Sequence, residues 1–177
     1  MRFSRNNLFF LLTFVFFLIF LSSTSLTFAD LMNDICKQTH DPSLCFSSLK
    51  SDPRSTNASL TTLGRISIKN AQKTAKAARK LIHSSLNSKN YTECISLYED
   101  AISNIKKCKK ALKAHDYGQL STFVSAAMTD ATICDGSFGR GVQGPPQLKF
   151  VSLKLQDLGN IIIVIANNLA AGIKIVA

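Results

Sequence analysis

The chain has 177 residues, a length that suits one domain, and a formal net charge of +10 at pH 7. So basic a protein could bind nucleic acid, but the lysine cluster at residues 106–113 lacks the interleaved aromatic side chains typical of such a surface. The sequence also contains no phosphate-binding loop and no metal-binding helix motif. We therefore expect no nucleic-acid partner, no metal and no cofactor.

Residues 1–29 have the pattern of a cleaved secretory signal peptide. Arg2 and Arg5 precede an apolar run at residues 8–21, and Thr27 and Ala29 are small residues where a cleavage site needs them. The run is shorter than the roughly 20 apolar residues of a membrane-spanning helix. We expect a secreted chain of residues 30–177 that has no membrane association after cleavage. It retains 19 basic and 11 acidic side chains, a net charge of +8.

Residues 30–56 are interpreted as an N-terminal helical hairpin and a linker. Two short helices are hinged at Asp41-Pro42, where the proline suits a first helical turn. Cys36 and Cys45 lie on either side of this hinge. Because disulfides form in the oxidising environment of secreted proteins, this spacing suits a short bridged turn.

Residues 57–177 have the pattern of four long helices. Apolar side chains recur at steps of three and four within the segments 59–86, 91–112, 120–138 and 147–171. A loop rich in glycine and proline, 139–146, precedes the last segment, and shorter turns separate the others. The sequence predicts an all-α fold, an up-down-up-down four-helix bundle with the disulfide-bridged N-terminal helical hairpin as an appendage.

One stretch of the last segment is ambiguous. Residues 161–165 are β-branched and by themselves favour a strand. The flanking residues keep the helical period, and Asn160 and Asn167 bound the run too closely for a membrane span. We interpret the stretch as helix.

The second and third helices of the bundle should form an antiparallel hairpin. Folding near Asp116-Tyr117-Gly118 places residues whose numbers sum to about 230 side by side. Cys94 and Cys134 each lie roughly 30 Å from this turn at ~1.5 Å per residue, so a disulfide between them is geometrically natural. Cys108 would face a residue near 122, too far from Cys134 to pair. We expect it to be a buried free thiol.

Two asparagines begin acceptor sequences for N-glycosylation. They are Asn57, in Asn57-Ala58-Ser59, and Asn90, in Asn90-Tyr91-Thr92. Both are candidate glycan sites, although the start of a helix can hide the asparagine.

The titratable residues form no catalytic pattern. His40 lies in the N-terminal hairpin, His83 on the outer side of the first long helix and His115 near the end of the second, and nothing in their spacing gathers them. Glu99 and Asp100 share a helix with several lysines, where surface ion pairs are their ordinary use. We expect no catalytic residue and a protein that is not an enzyme and works through its surface.

The cysteine spacing and two segments resemble a known family. Cys36, Cys45, Cys94 and Cys134, with ECISLYEDA at 93–101 and VSAAMTD at 124–130, are similar to the plant invertase and pectin methylesterase inhibitors. The resemblance implies a secreted helical bundle of the apoplast or cell wall that blocks a carbohydrate-active enzyme. It also implies bridges from Cys36 to Cys45 and from Cys94 to Cys134.

The resemblance leaves the target enzyme open. Cell-wall invertase inhibitors of this family carry Pro-Lys-Phe between the second and third bundle helices, where this chain has His115-Asp116-Tyr117-Gly118. Pectin methylesterase inhibitors usually have threonine before the fourth cysteine, where this chain has Ile133. We favour pectin methylesterase, blocked in a one-to-one complex over its substrate cleft, with invertase as the alternative. A third hypothesis is a basic wall protein that binds acidic pectin weakly and inhibits nothing.

The expected contact surface consists of outward residues of the second and third bundle helices and their turn. The candidates are Asp116, Tyr117, Ser121, Ser125, Thr129, Asp130 and Thr132. Tyr117 is the best single anchor among them, because tyrosine is enriched at the energetic centres of protein interfaces.

Overall fold

The computed structural model describes residues 28–84, 89–138 and 146–172. These ranges contain six α-helices and one short 3₁₀ turn, Pro53–Ser55. The α-helices are α1 (Phe28–Lys37), α2 (Pro42–Lys50), α3 (Leu60–His83), α4 (Lys89–Lys113), α5 (Tyr117–Ser137) and α6 (Pro146–Ala170). Three predicted features lie outside the described residues. They are most of the expected signal peptide (1–27), most of the glycine- and proline-rich loop (139–145) and the predicted end of the first long helix at Leu86.

Three of the helices begin at polar side chains that cap free backbone amides. The carboxylate of Asp41 accepts a hydrogen bond from the Leu44 amide at 2.9 Å, and Pro42 is the first residue of α2. Ser59 caps α3 in the same way, and Asp116 caps α5. Because such caps satisfy otherwise unpaired N–H groups, they fix where each helix starts.

The four long helices form a closed ring. In order, α3 packs against α4, α4 against α5, and α5 against α6, and α6 returns to α3. Consequently α3 lies diagonally across the bundle from α5. The predicted up-down-up-down bundle is confirmed, and so is the all-α class.

The N-terminal hairpin packs beside α3 and α6. The predicted disulfide between Cys36 and Cys45 joins α1 to α2, with the two Cα atoms 5.4 Å apart. Polar side chains fasten the hairpin to the bundle: the His40 amide donates to the Asn160 side-chain oxygen at 3.1 Å, and the Asn70 amide group donates to the Ser48 carbonyl at 2.9 Å. The hairpin is therefore held by directed hydrogen bonds as well as by apolar contact.

The α4–α5 hairpin has the predicted register. A disulfide joins Cys94 to Cys134, and its Cα atoms lie 4.9 Å apart. Nearer the turn, the Cys108 thiol donates to the Leu120 carbonyl at 3.9 Å. The position of the break differs from the prediction, since the helices are separated by residues 114–116 and Tyr117 already belongs to α5. The reason is local: His115 has a left-handed backbone with φ of 57°, and Asp116 then caps α5.

The ambiguous stretch at 161–165 is helical, as predicted, and lies within α6. Burial of Ile161, Ile162 and Ile165 between α6 and its neighbours outweighs the strand preference of β-branched residues. No helix of the described ranges has both the length and the apolar character needed to cross a bilayer.

Two residues of the core have unusual surroundings, Gly159 and Tyr98. At Gly159 of α6, an added Cβ atom would lie 2.5 Å from the Met128 sulfur of α5, so glycine permits this approach. The Tyr98 ring of α4 is fully buried, and its hydroxyl has no hydrogen-bond partner among the described residues. Burial raises the pKa of Tyr98 to about 12, which keeps the phenol neutral.

Candidate functional site

The outward face of α5 presents short hydroxyl side chains. Thr122, Ser125, Thr129 and Thr132 are all exposed and follow one another at steps of three and four, which places them on one stripe of the helix. We call these four residues the hydroxyl stripe. Gly118 and Gly136 extend the same spacing at its two ends, so the stripe itself carries neither a charge nor a long side chain. The exposed Ile133, one helical turn after Thr129, borders it.

Two of the four hydroxyl groups in the hydroxyl stripe already donate hydrogen bonds within α5. Thr122 donates to the Gly118 carbonyl and Thr132 to the Met128 carbonyl, each at 3.0 Å within the same helix. The oxygen atoms of these hydroxyls remain able to accept, and Ser125 and Thr129 can do both. A partner therefore meets a shallow surface of hydrogen-bonding groups that costs little side-chain entropy to order.

The structure groups some of the seven candidate residues and separates others. Ser125, Thr129 and Thr132 belong to the hydroxyl stripe, and Ser121 lies half-buried one turn before Ser125 at its edge. Thr122 was not among the candidates, although the period of three and four, extended by one step from Ser125, would have found it.

Asp130 lies on the other flank of α5 and faces α4. Its carboxylate accepts a hydrogen bond from the Asn104 amide group at 3.3 Å, and its side chain is half-buried. Partial burial raises the pKa of Asp130, while the Asn104 hydrogen bond opposes that rise and Asp100 adds to it. The residue is thus part of the α4–α5 seam and not of the hydroxyl stripe.

The bundle end beside the hydroxyl stripe is shaped by the turn between α4 and α5. The Tyr117 hydroxyl and the His115 Nδ1 atom lie 2.9 Å apart and share a hydrogen bond, and the two rings meet edge to face. Asp116 is exposed, but its side chain already accepts from the Gln119 amide at 3.0 Å. Tyr117 is therefore held in one orientation, whereas the Asp116 carboxylate serves mainly as a cap. The role of His115 was missed because it depends on the turn conformation.

The structure also shows the surroundings of two residues that the sequence analysis singled out, Cys108 and Asn57. Cys108 is free and buried, and burial raises the pKa of its thiol to about 12. Asn57 is exposed just before α3, so its amide is open to solvent. Glycosylation at Asn57 and Asn90 stays a prediction. Nowhere in the described ranges do three histidine, cysteine or acidic side chains converge as metal ligands would.

Proteins of similar sequence are plant inhibitors. A pectinesterase inhibitor from Actinidia deliciosa is 40% identical over 144 residues, which cover 77% of this chain and 78% of that protein. Pectinesterase inhibitor 2 from Arabidopsis thaliana is 31% identical, with coverage of 75% and 80%. A Platanus orientalis protein that is provisionally named an invertase inhibitor is 30% identical, with coverage of 66% and 78%.

Solved structures and a family model agree with these similarities. A crystal structure of a mutant form of an Arabidopsis pectin methylesterase inhibitor superposes with a TM-score of 0.68 at 26% identity, and covers 77% of this chain and 95% of that one. The model of the plant invertase/pectin methylesterase inhibitor family matches residues 30–166, starting at the first residue of the expected mature chain. The chain therefore belongs to the plant invertase/pectin methylesterase inhibitor family.

Proposed function

We propose that this protein inhibits pectin methylesterase by covering the substrate cleft of the enzyme in a one-to-one complex. The observation that carries the proposal is the hydroxyl stripe, an uncharged row of short side chains on a helix that α4 and α6 hold from both sides. The centres of protein interfaces are depleted of charged residues, and a rigid surface loses little entropy on binding. A face of this kind suits a closely packed complex.

The chemistry of the hydroxyl stripe also fits a carbohydrate-binding cleft. A cleft that binds a polysaccharide presents groups that hydrogen-bond to sugar hydroxyls, and serine and threonine hydroxyls have the same donor and acceptor capacity. An α-helix is about 10–12 Å wide with its side chains, so α5 can lie along such a cleft and exclude the polymer. Specific complexes of this type bury about 1,600 Å² in total.

Tyr117 is proposed as the anchor at one end of this surface. It is half-buried, and its hydrogen bond to His115 fixes the ring before a partner arrives. Preorganised aromatic side chains are frequent energetic centres of interfaces. Ser121 and the four residues of the hydroxyl stripe complete the proposed contact surface. Asp116 and Asp130 are proposed as supporting residues, since their carboxylates are already engaged within the protein.

The choice of pectin methylesterase over invertase rests on sequence similarity. The relatives named as pectinesterase inhibitors are 40% and 31% identical, whereas the relative provisionally named an invertase inhibitor is 30% identical over less of this chain. Invertase remains the alternative target.

The deciding experiment measures both enzymes in parallel. The purified, oxidised chain from Asp30 onward is titrated against a plant pectin methylesterase and a plant cell-wall invertase. We expect loss of activity in the first enzyme alone, with saturation at one inhibitor per enzyme. Inhibition of invertase alone would transfer the proposal to that enzyme, and inhibition of neither would refute it. Reduced and alkylated protein serves as the unfolded control, because it lacks both bridges.

We also propose that the protein is secreted after cleavage behind Ala29. The pattern of residues 1–29 supports this, and so does the family match that begins at residue 30. N-terminal sequencing of protein recovered from the extracellular fluid of expressing plant cells should begin at Asp30. An N-terminus at Met1, or retention inside the cell, would contradict it.

A further inference from the structure

A continuous row of cationic side chains runs along the outside of the seam between α3 and α4. We call it the basic ridge, and it consists of Lys69, Lys76, Lys106, Lys109, Lys110 and Lys113. All six residues are exposed. The ridge combines the only lysine-rich stretch of α4 with two lysines from the facing edge of α3.

A cross-helix hydrogen bond fixes how the two halves of the ridge meet. The Lys109 ammonium group donates to the Gln72 side-chain oxygen at 2.6 Å. Gln72 lies between Lys69 and Lys76, one helical turn from each. Since α3 and α4 are antiparallel neighbours, Lys106 and Lys113 lie on either side of Lys109 along the same seam. Lys110 follows Lys109 and lies on the adjoining outer side of α4, so all six charges border this seam.

Very little negative charge opposes the basic ridge. In the part of the chain that the structure describes, Lys69 is the one ridge residue with a carboxylate partner, Asp52 at 3.4 Å. Asp52 is already bound to Arg54 at 2.7 Å, and that hydrogen-bonded pair lowers its pKa strongly. The neighbouring acid of α4, Glu99, pairs with Arg79 at 3.3 Å. The ridge thus keeps a concentrated positive potential.

The basic ridge and the hydroxyl stripe point away from each other. The ridge lies on α3 and on the edge of α4 that faces α3, whereas the stripe lies on α5, diagonally across the ring from α3. A molecule bound along the ridge would therefore leave the stripe free. Two partners can occupy the protein at the same time.

We propose that the basic ridge binds de-esterified pectin, a linear polyuronate, while the hydroxyl stripe holds the enzyme. The choice of this polyanion rests on the proposed function. A pectin methylesterase hydrolyses a neutral methyl ester with water, releases methanol and a proton, and leaves a carboxylate, so its product is a row of negative charges. The ridge would hold the inhibitor where the enzyme has acted, and raise its local concentration there.

The residues of the ridge favour this ligand over other polyanions. No aromatic side chain interleaves with the lysines at 69–76 or 106–113, whereas stacking on aromatic rings is the usual means of binding single-stranded nucleic acid. The ridge also has no row of exposed large apolar residues, which an interfacial membrane helix would need. A row of ammonium groups on a straight seam matches a linear chain of carboxylates.

The experiment measures binding of the oxidised protein to polygalacturonate, without enzyme, over a series of salt concentrations. One variant replaces four ridge lysines with glutamine: Lys106, Lys109, Lys110 and Lys113. The matched control replaces four exposed lysines on other surfaces: Lys37, Lys50, Lys149 and Lys154. The two variants carry the same net charge, so only the location of the lost charges differs.

The ridge variant should bind at least about tenfold more weakly at low salt, and its slope of log affinity against log salt should be smaller by about two to three. The control should stay within about threefold of the unchanged protein. Both variants should keep full inhibition, which separates this proposal from the proposed function. Equal losses in both variants would overturn the proposal, since binding would then follow net charge alone. Equal binding to methyl-esterified pectin, to a DNA oligomer or to anionic vesicles would also overturn it.

Discussion

The hydroxyl stripe of α5 and the basic ridge of α3 and α4 are two outward faces of one bundle, and they differ in side-chain length and charge. The stripe has short hydroxyl side chains that lose little rotamer entropy when a partner covers them. Each lysine of the ridge would lose up to about 2 kcal/mol of rotamer entropy if it were fully immobilised. A close, dry complex is therefore favoured on the stripe, and a long-range, salt-sensitive one on the ridge.

Helix α4 connects these two faces. Its edge towards α3 carries Lys109, which donates to Gln72, and its edge towards α5 carries Asn104, which donates to Asp130. Between the edges lies the buried row of Cys94, Tyr98 and Cys108. Substitutions on one outer face should therefore leave the other intact, as long as this inner row is undisturbed.

The largest expected effect comes from placing a charge in the middle of the hydroxyl stripe. Thr129→Arg adds a long cation to an exposed position of α5, and we expect inhibition to weaken at least about 100-fold, equivalent to about 3 kcal/mol. The inhibition constant and the affinity for polygalacturonate are both measured. Ala77→Arg, an exposed position on the diagonal helix α3, is the control with the same added charge. Equal weakening by the two substitutions would show that the stripe is not the contact surface.

A smaller effect is expected from a substitution at Gly159, where α6 packs against the inner side of α5. Gly159→Val would force its side chain against Met128 and Val124, and should lower the free energy of unfolding by about 1–3 kcal/mol. Urea unfolding measures the change in the free energy of unfolding. The substitution should also weaken inhibition more than it weakens binding to polygalacturonate. Gly136→Val is the control for stability, since an added Cβ atom there meets nothing within 4 Å. Unchanged stability of the Gly159 variant would mean that α5 and α6 are less closely packed than described.

A change of about tenfold is expected at the end of the stripe. Tyr117→Ala removes the proposed anchor and should weaken inhibition by about tenfold, or 1.4 kcal/mol. Tyr117→Phe keeps the ring and loses only the hydrogen bond to His115, so it should retain most of the inhibition. If Tyr117→Ala inhibited as well as the unchanged protein, the contact surface would end before the turn.

Much of the fold could be predicted because its causes are local or periodic. The steps of three and four predicted each long helix. Folding near residue 116 predicted that Cys108 faces about residue 122, close to the contact with Leu120 that the structure shows. Helix α5 begins at Tyr117, which the prediction had placed in the break between the helices. The prediction was wrong there because a left-handed residue such as His115 leaves no clear sequence signal. Such a conformation depends on how the two helices meet.

The candidate site was predictable only in part, since a helical period tells which residues point outward and not what lies beside them. Thr129 and Asp130 are adjacent in sequence, yet the first is exposed on the stripe and the second faces Asn104. That difference depends on where α4 packs. The basic ridge likewise needs the pairing of α3 with α4, because neither helix alone has all six lysines.

Salt should change inhibition least of all, and this sharpens the comparison of the two faces. The hydroxyl stripe carries no charge, so raising NaCl from about 0.05 M to about 0.5 M should alter the inhibition constant by less than about threefold. The same change should abolish binding of the basic ridge to polygalacturonate, because salt at the higher concentration screens exposed charges over only a few ångströms. Both affinities are measured on one protein preparation. A strong salt dependence of inhibition that disappears in the ridge variant would show that the enzyme itself binds the ridge, and the assignment of separate partners to the two faces would be wrong.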